Sequence, residues 1–378
     1  MSWTAATLKD VVITSGIQTG PFGSQLHAHD YTPTGVGVVM PQDLGDNVIV
    51  LDDMARIDPS RAKSLQRHRL VPGDIVFSRR GDVTKRSLIR DRDGDLICGT
   101  GCLRVRIDRD RANPAFIAAF LALPKTKEWL VRHAVGATMP NLNTAILGAV
   151  PLRVPELATQ DAIAEVLGAL DDKIASNRRV IEASESLSDA LFSFVARAAS
   201  GTTPAGTYFD LAYGKALPTV ERKDGPVPVY GSGGIVGRHE SSLFDGPGVV
   251  VGRKGSVGTV YWAEDGAFPI DTTFFIRPHG FPHIFVYLLL KRMRLPLMAA
   301  DSAVPGLNRI RVLQESVPAL SQADAQRLAA QVSPLFTKNH QLEQENTTLT
   351  AARDELLPQL MSGRITVKDA EKRVEEEV

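Results

Sequence analysis

Two segments of similar sequence carry the side chains best suited to contact nucleic acid. Residues 72–83 read PGDIVFSRRGDV and residues 246–257 read GPGVVVGRKGSV, so each places two basic residues and a glycine after a short apolar run. Arginine can bind guanine through two hydrogen bonds, whereas lysine more often contacts phosphate. The pattern predicts DNA contacts from the basic residues of both segments: Arg79, Arg80, Lys85, Arg86, Arg253 and Lys254.

Glycine-rich turns supply further hydrogen-bonding side chains. The stretches GPFGSQL at 20–26 and VPVYGSGGIVG at 227–237 combine glycine with short polar residues, which suit contacts to bases and phosphates. We therefore expect additional DNA contacts in and beside these turns, from Gln18, Thr19, Ser24, Gln25, Ser232, Arg238 and His239. For each candidate, the alternative is an ordinary turn or surface residue.

The motifs expected of a catalytic chain are missing. The sequence GRKGSVG at 252–258 lacks the ending of a phosphate-binding loop, and there is neither a cofactor-binding glycine loop nor a methyltransferase Pro-Pro-aromatic motif. Asp210, Glu221 and Lys223 match a nuclease-like pattern, but that pattern arises easily by chance. We predict that this chain contains no catalytic residues.

Candidate metal ligands are too few to form a site. His27 and His29 lie in HAHD without a further cluster of ligands nearby, which favours a surface loop. Cys98 and Cys102 are the two cysteines, which is too few for a four-cysteine zinc site and favours packed, reduced thiols. We predict no metal site and no cofactor in this chain.

The composition is that of a soluble globular protein with two domains. The chain has 378 residues, of which 43% are hydrophobic and 23% charged, and its 43 basic residues balance 43 acidic ones. DNA binding would therefore depend on local charge, as in residues 79–92, where basic residues outnumber acidic ones. The N-terminus lacks signal-peptide features and the apolar runs are too short to cross a bilayer. We expect a cytoplasmic protein without membrane contact.

An internal repeat organises the chain. Leu-Asn at 142–143 recurs at 307–308, and a helical motif at 189–192 recurs at 354–357, both 165 residues later. The two basic segments lie 174 residues apart. The difference predicts insertions within the globular parts and a fixed length for the helical parts.

Each half continues into a long helix with a heptad pattern of apolar residues. The apolar positions run from 163 to 195 and from 328 to 360, in alternating steps of four and three. An antiparallel arrangement brings polar residues of the two seams together, Asn177 with Asn346 and Ser184 with Asn339. The alternative is that each helix packs only on its own globular domain.

The ends and interruptions of these helices also have sequence signals. Thr159 and Ser321 predict the two helix starts, and Ser321 with Asp324 approximates a capping box. Pro334 predicts a kink in the second helix, or a restart at 333–334.

These patterns predict an α+β fold. Two similar mixed α/β domains are each followed by a long helix, and the helices pair as an antiparallel coiled coil with pseudo-twofold symmetry. The predicted segments are a first recognition domain, a first helical region, a second recognition domain, a second helical region and a charged tail, at 1–155, 156–200, 201–318, 319–363 and 364–378.

The order of the motifs resembles that of the specificity subunits of type I restriction-modification systems. The resemblance covers essentially the whole chain and rests on GPFGSQL, PGDIVFSRRG, VPVYGSGGIVG and LLPQLMSG, in this order around two long helices. It implies a non-catalytic subunit whose two target recognition domains bind an asymmetric bipartite sequence with an unread spacer.

The resemblance also implies partners. They are double-stranded DNA, two methyltransferase subunits and restriction subunits, and S-adenosylmethionine, ATP and magnesium are expected in the partner subunits. The alternative function is that of a coiled-coil assembly scaffold that does not contact DNA.

Overall fold

Two compact units make up the protein, and each contains part of both long helices. The computed structural model describes residues 3–45, 47–51, 53–136, 138–299 and 306–377. The first unit combines Met1–Ile174 with Thr347–Val378, and the second is Ala175–Asn346. These units cut across the five predicted segments, whose boundaries stay a prediction, because each long helix contributes to both units.

The first unit is built on an antiparallel four-stranded sheet. Its strands are β1 (Thr4–Thr7), β2 (Val12–Thr19), β3 (Tyr31–Thr32), β4 (Val36–Val39), β5 (Arg56–Ile57), β6 (Asp74–Ser78), β7 (Arg86–Leu88), β8 (Leu96–Cys98), β9 (Cys102–Ile107) and β10 (Pro151–Val154). Its shorter helices are α1 (Pro59–Ser64), α2 (Pro114–Phe120), α3 (Pro124–His133) and α4 (Thr144–Gly148). The main sheet has the order β2-β9-β6-β7, a mixed sheet has the order β3-β5-β4-β8, and β1 pairs with β10.

The second unit follows the long helix α5 (Leu157–Arg197). Its strands are β11 (Thr202–Pro204), β12 (Phe209–Tyr213), β13 (Val227–Gly231), β14 (Gly234–His239), β15 (Gly248–Gly252), β16 (Val260–Ala263), β17 (Phe268–Pro269), β18 (Thr273–Pro278) and β19 (Ser316–Pro318). Helices α6 (His283–Arg292) and α7 (Arg309–Gln314) precede the second long helix α8 (Gln322–Met361), after which the chain returns to the first unit as α9 (Val367–Glu377).

The repeat seen in the sequence is also present in the sheets. The second unit has a main sheet in the order β12-β18-β15-β16, a smaller mixed sheet β14-β13-β17, and the pair β11-β19. The inner strands β6 and β15 are the apolar runs of the two basic segments, and every residue of both is buried. The two units therefore repeat one sheet arrangement, in agreement with the predicted pair of similar α/β domains.

The long helices contact each other in antiparallel orientation within each unit. In the first unit, Leu167 and Ile174 of α5 belong to the same core as Leu349 and Leu356 of α8. In the second unit, the Asn177 side-chain amide donates to the Asn346 carbonyl oxygen at 3.0 Å. The predicted asparagine pair is therefore confirmed, whereas the pairing of Ser184 with Asn339 stays a prediction. Among the described residues, no helix is apolar enough over a sufficient length to cross a membrane.

The helix ends and the prolines differ in part from expectation. Ser321 caps α8 as predicted, because its hydroxyl oxygen accepts from the Asp324 N–H at 3.1 Å. Helix α5 begins at Leu157, so Thr159 is inside its first turn. The predicted restart at Pro334 is wrong, because α8 is continuous from Gln322 to Met361. Packing of Val332 and Phe336 in the second core accounts for a helix that tolerates the lost hydrogen bond.

The charged C-terminal segment is also folded. Residues 364–378 contain α9, whose first turn is capped by Thr366 with Asp369. Ala370 is fully buried, and Val367 and Val374 pack against the core of the first unit. Acidic and basic residues thus occupy the outer face of a packed helix, a pattern that the charge run alone does not reveal.

A buried ion pair at the start of β6 supports the first unit. Asp74 is 1% exposed and accepts two hydrogen bonds of 2.7 Å from the Arg106 guanidinium on the neighbouring strand β9. The Val71 N–H donates to the same carboxylate at 2.9 Å. Because a buried charge without its partner is very unfavourable, this pair fixes the register between β6 and β9.

We expect Arg106→Ala to lower the free energy of unfolding by about 3–5 kcal/mol, because it leaves the Asp74 carboxylate buried without its counter-ion. Arg132→Ala is the matched control, since it removes an exposed pair with Glu128 and should cost at most about 1 kcal/mol. Urea denaturation measures both changes. Equal losses for the two variants would contradict the structural role of the Asp74–Arg106 pair.

The two thiols should be unreactive in the native protein. Cys98 and Cys102 are free and buried, and burial raises the pKa of Cys98 to about 12, so this thiol is protonated at neutral pH. We expect Ellman's reagent to label neither cysteine in the native protein and both in concentrated guanidinium chloride. Rapid labelling of the native chain would show that this part of the core is open to solvent.

Candidate nucleic-acid interface

The first basic turn, residues 79–85, joins β6 to β7 and is held by its main chain. The Arg79 N–H donates to the Gly101 carbonyl oxygen at 2.8 Å, and the Arg79 carbonyl oxygen accepts from the Leu142 N–H at 2.9 Å. The Ser78 hydroxyl donates to the Arg80 carbonyl oxygen at 2.8 Å. These bonds fix the backbone of the turn, while the side chains of Arg80 and Lys85 are exposed.

The second basic turn, residues 253–259, joins β15 to β16 in the same way. The Arg253 N–H donates to the Thr272 carbonyl oxygen at 2.9 Å, and its carbonyl oxygen accepts from the Leu307 N–H at 2.9 Å. Lys254, the next residue, is exposed. Gly101 immediately precedes β9, and Thr272 immediately precedes the corresponding strand β18, so the two turns use equivalent partners.

A glycine closes each basic turn in the left-handed region of backbone conformation. Gly81 has a φ of 75° and Gly255 a φ of 79°, values that are strained for residues with a side chain. The Arg-basic-Gly pattern therefore has a structural reason at its third position. The first two positions of the pattern remain free to present side chains.

Both basic turns carry a surplus of positive charge. The first contains three basic residues and Asp82, and the second contains Arg253 and Lys254 without an acidic residue. The Thr84 hydroxyl donates to the Asp82 carboxylate and lowers the pKa of that group, so Asp82 is ionised at neutral pH. Each turn thus has two more positive than negative side chains, a local field suited to an anionic partner.

The arginines that lead the two turns have different surroundings. The Arg253 guanidinium donates from Nε and Nη2 to the Asp271 carbonyl oxygen, and lies 5.3 Å from the centroid of the Tyr213 ring. The Arg79 Nε–H is buried, and no acceptor for it is present in the described part of the chain. Arg253 is therefore oriented by its own domain, whereas Arg79 retains an unsatisfied donor.

A cleft in the first unit joins the glycine-rich turn to the first basic turn. It has a volume of about 510 Å³, and its walls include Pro21, Phe22, Met40, Arg79 and Arg80. The structure thus brings together two sequence motifs that are more than fifty residues apart. Phe22 is 56% exposed at this cleft, although no sequence argument singled it out. An aromatic residue inside a glycine-rich turn was the available signal.

The other polar candidates of the first unit surround this turn. Gln18 and Thr19 end β2 and are half-buried, and Ser24 is exposed. The Gln25 side-chain oxygen accepts from the Phe22 N–H at 3.2 Å, so this residue helps to close the turn.

Arg86 is a correction to the predicted set. It is 2% exposed, and its Nε donates to the Ala118 carbonyl oxygen of α2 at 3.0 Å. Arg86 begins the edge strand β7, and the contact with α2 takes its side chain beneath that helix. It therefore supports the fold and is removed from the candidate interface.

The candidates on β13 and β14 are divided between the two ends of a hairpin. Ser232 lies in the hairpin turn, where its carbonyl oxygen accepts from the Thr259 hydroxyl at 2.7 Å, so it adjoins the second basic turn. Arg238 and His239 are at the far end of β14. Arg238 donates to the Pro226 carbonyl oxygen and is exposed.

His239 is a second correction. It is 7% exposed, and its Nδ1 accepts from the Lys223 N–H at 3.1 Å. Its ring also packs edge-on against Phe268, with the centroids 5.5 Å apart. Because its polar and apolar surfaces are both used within the domain, His239 is removed from the candidate interface.

The chain is similar to known specificity subunits in sequence. The family model for the type I restriction modification DNA specificity domain matches residues 66–185, which include the first basic turn. The specificity subunit of the type I restriction enzyme HindI from Haemophilus influenzae is 26% identical over 123 residues, which are 32% of this chain and 27% of that protein. The putative MjaX specificity subunit from Methanocaldococcus jannaschii is 21% identical over 188 residues, 48% of this chain and 42% of that protein. Less than half of either relative is therefore matched.

A solved structure has the same fold over nearly the whole chain. It is the S subunit of a type I restriction-modification system from M. genitalium, with a TM-score of 0.67 and 20% identity over 95% of this chain and 96% of that one. At this identity, the likeness concerns the fold alone. The family model, the curated relatives and the fold support one identification, a specificity subunit of a type I restriction-modification system.

Proposed function

We propose that this chain binds DNA sequence-specifically through two recognition domains and positions a separate methyltransferase on the bound DNA. The observation that carries the proposal is the repeated basic turn, which has the same main-chain hydrogen bonds in both units. A fixed backbone with exposed basic side chains suits groove readout, because the side chain is already oriented before DNA arrives.

Within each turn, the two basic residues have different proposed roles. The leading arginine is held on both sides through its own N–H and carbonyl, so Arg79 and Arg253 read base edges. The following residue is exposed, so Arg80 and Lys254 contact phosphates. The turns differ in sequence, RRGD against RKGS, which favours two different half-sites and hence an asymmetric bipartite target.

The proposed partners follow from the family resemblance. Two methyltransferase subunits and restriction subunits supply the chemistry, with S-adenosylmethionine, ATP and magnesium bound in those subunits. This chain contributes DNA contacts and docking surfaces and no catalytic group. A coiled-coil assembly scaffold without DNA contact is the competing function.

The deciding experiment combines target mapping with binding. Methylated motifs in the source strain, with and without this gene, identify the target sequence. We expect the complex of this chain with its cognate methyltransferase to prefer that sequence in gel shifts, with an affinity that falls steeply as salt rises because phosphate contacts release counter-ions. A complex that forms with the methyltransferase but is indifferent to DNA would establish the scaffold function instead.

Substitutions in the basic turns should separate base contacts from phosphate contacts. We expect Arg79→Ala and Arg253→Ala each to cost about 1–3 kcal/mol of discrimination, each in a different half of the target. The neighbouring variants Arg80→Ala and Lys254→Ala are matched controls, and should weaken all sequences alike while reducing the salt slope by about 1. Quantitative binding to target and single-base variants measures both effects. Uniform weakening by Arg79→Ala would assign that side chain to the DNA backbone.

A further inference from the structure

The repeated Leu-Asn dipeptide stands next to both basic turns, although neither of its residues is among the proposed DNA contacts. Leu142 is fully buried and Leu307 is 4% exposed, and the N–H of each donates to the carbonyl oxygen of the leading arginine. The following residues, Asn143 and Asn308, are thus one peptide away from the bond that holds each turn.

Both asparagines cap a short helix. The Asn143 side-chain oxygen accepts from the Ile146 N–H at 2.8 Å at the start of α4. The Asn308 side-chain oxygen accepts from the Ile310 and Arg311 N–H groups at 2.9 and 3.1 Å at the start of α7. A capping side chain fixes the direction in which the chain enters the helix, because it satisfies N–H groups that have no partner within the helix.

The same connection occurs in both units despite different sequence separations. The leading arginines are 174 residues apart, the residues that accept from their N–H groups 171 apart, and the leucines 165 apart. Isolated bridges pair Arg80 with Asn141 and Lys254 with Gly306, immediately before each Leu-Asn. Contacts that reappear at three different offsets are a property of the folded domain, beyond the similarity of one motif.

We propose that Asn143 and Asn308 are positioning residues for sequence recognition, each acting through the adjacent leucine on the basic turn of its own unit. The inference rests on the proposed function. Loss of the cap frays the first turn of a short helix, and the leucine N–H then no longer holds the arginine carbonyl in one place. The leading arginine loses its fixed orientation, so base discrimination falls while the charge of the turn is unchanged.

The two caps should differ in importance. Helix α7 has a second anchor, because Arg309 donates to both carboxylate oxygens of Asp210 at 2.6 and 2.7 Å and to the Leu211 carbonyl oxygen at 2.8 Å. Thr144, at the corresponding position of α4, carries no charge and cannot form such an ion pair. We therefore expect the larger effect for the substitution at Asn143.

The test compares Asn143→Ala with Asn113→Ala in the complex of the full chain with its cognate methyltransferase. Asn113 caps α2 by accepting from the Ala115 and Phe116 N–H groups at 2.8 and 3.2 Å, so its substitution removes a cap of the same kind elsewhere in the first unit. Binding to the wild-type target and to single-base variants of each half is measured for both, with melting temperatures alongside.

Asn143→Ala should reduce discrimination by about fivefold or more in one half of the target only, the lower end of what a two-hydrogen-bond base contact contributes. Asn308→Ala should act, more weakly, on the other half. Asn143→Ser, which retains a capping oxygen, should restore most of the discrimination. Asn113→Ala should lower the melting temperature without changing discrimination in either half.

Unchanged discrimination in Asn143→Ala overturns the inference and leaves the proposed function intact. An equal loss in Asn113→Ala also overturns it, because the effect would then be general destabilisation. If Asn143→Ala does not fold, Asn143→Ser and Asn308→Ala decide, and full wild-type selectivity in Asn308→Ala overturns the inference. A wild-type complex without any sequence preference refutes the proposed function, and the inference with it.

Discussion

The antiparallel contact between α5 and α8 is the constraint on which both compact units depend. Neither unit is formed from one continuous half of the chain, because the core of each contains apolar residues from both long helices. A recognition domain with only its own following helix would leave an apolar seam exposed. Folding of each half of the sequence is therefore coupled to the other half.

The seam also explains where the two halves of the sequence have diverged in length. An insertion of one residue in a helix turns every later seam position away from its partner, whereas an insertion in a loop changes nothing beyond the loop. The separation of equivalent residues accordingly drifts from 174 to 165 between the basic turns and the Leu-Asn dipeptides, and stays at 165 into the helical motif at 354–357. Divergence has been confined to the parts of the chain that packing leaves free.

Features with a regular period or an exact repeat could be predicted from the sequence. Heptad positions determine the pairing of Asn177 with Asn346, and the repeated motifs determine the equivalence of β6 and β15. The burial of Arg86 and His239 could not be predicted, because it depends on α2 and Phe268, which are remote in sequence. Continuity of α8 through Pro334 likewise depends on tertiary packing, which outweighs the local preference of proline.

The hydrogen bonds that hold the leading arginines use main-chain atoms alone. An N–H and a carbonyl oxygen are present whichever of the non-proline residues occupies position 79 or 253, so the clamp places little demand on side-chain identity. Such a site can exchange the side chains that meet DNA while the glycine at 81 or 255 and the surrounding sheet stay the same. New target preferences are then accessible by single substitutions at little cost in stability, a property of value to a protein whose targets change during evolution.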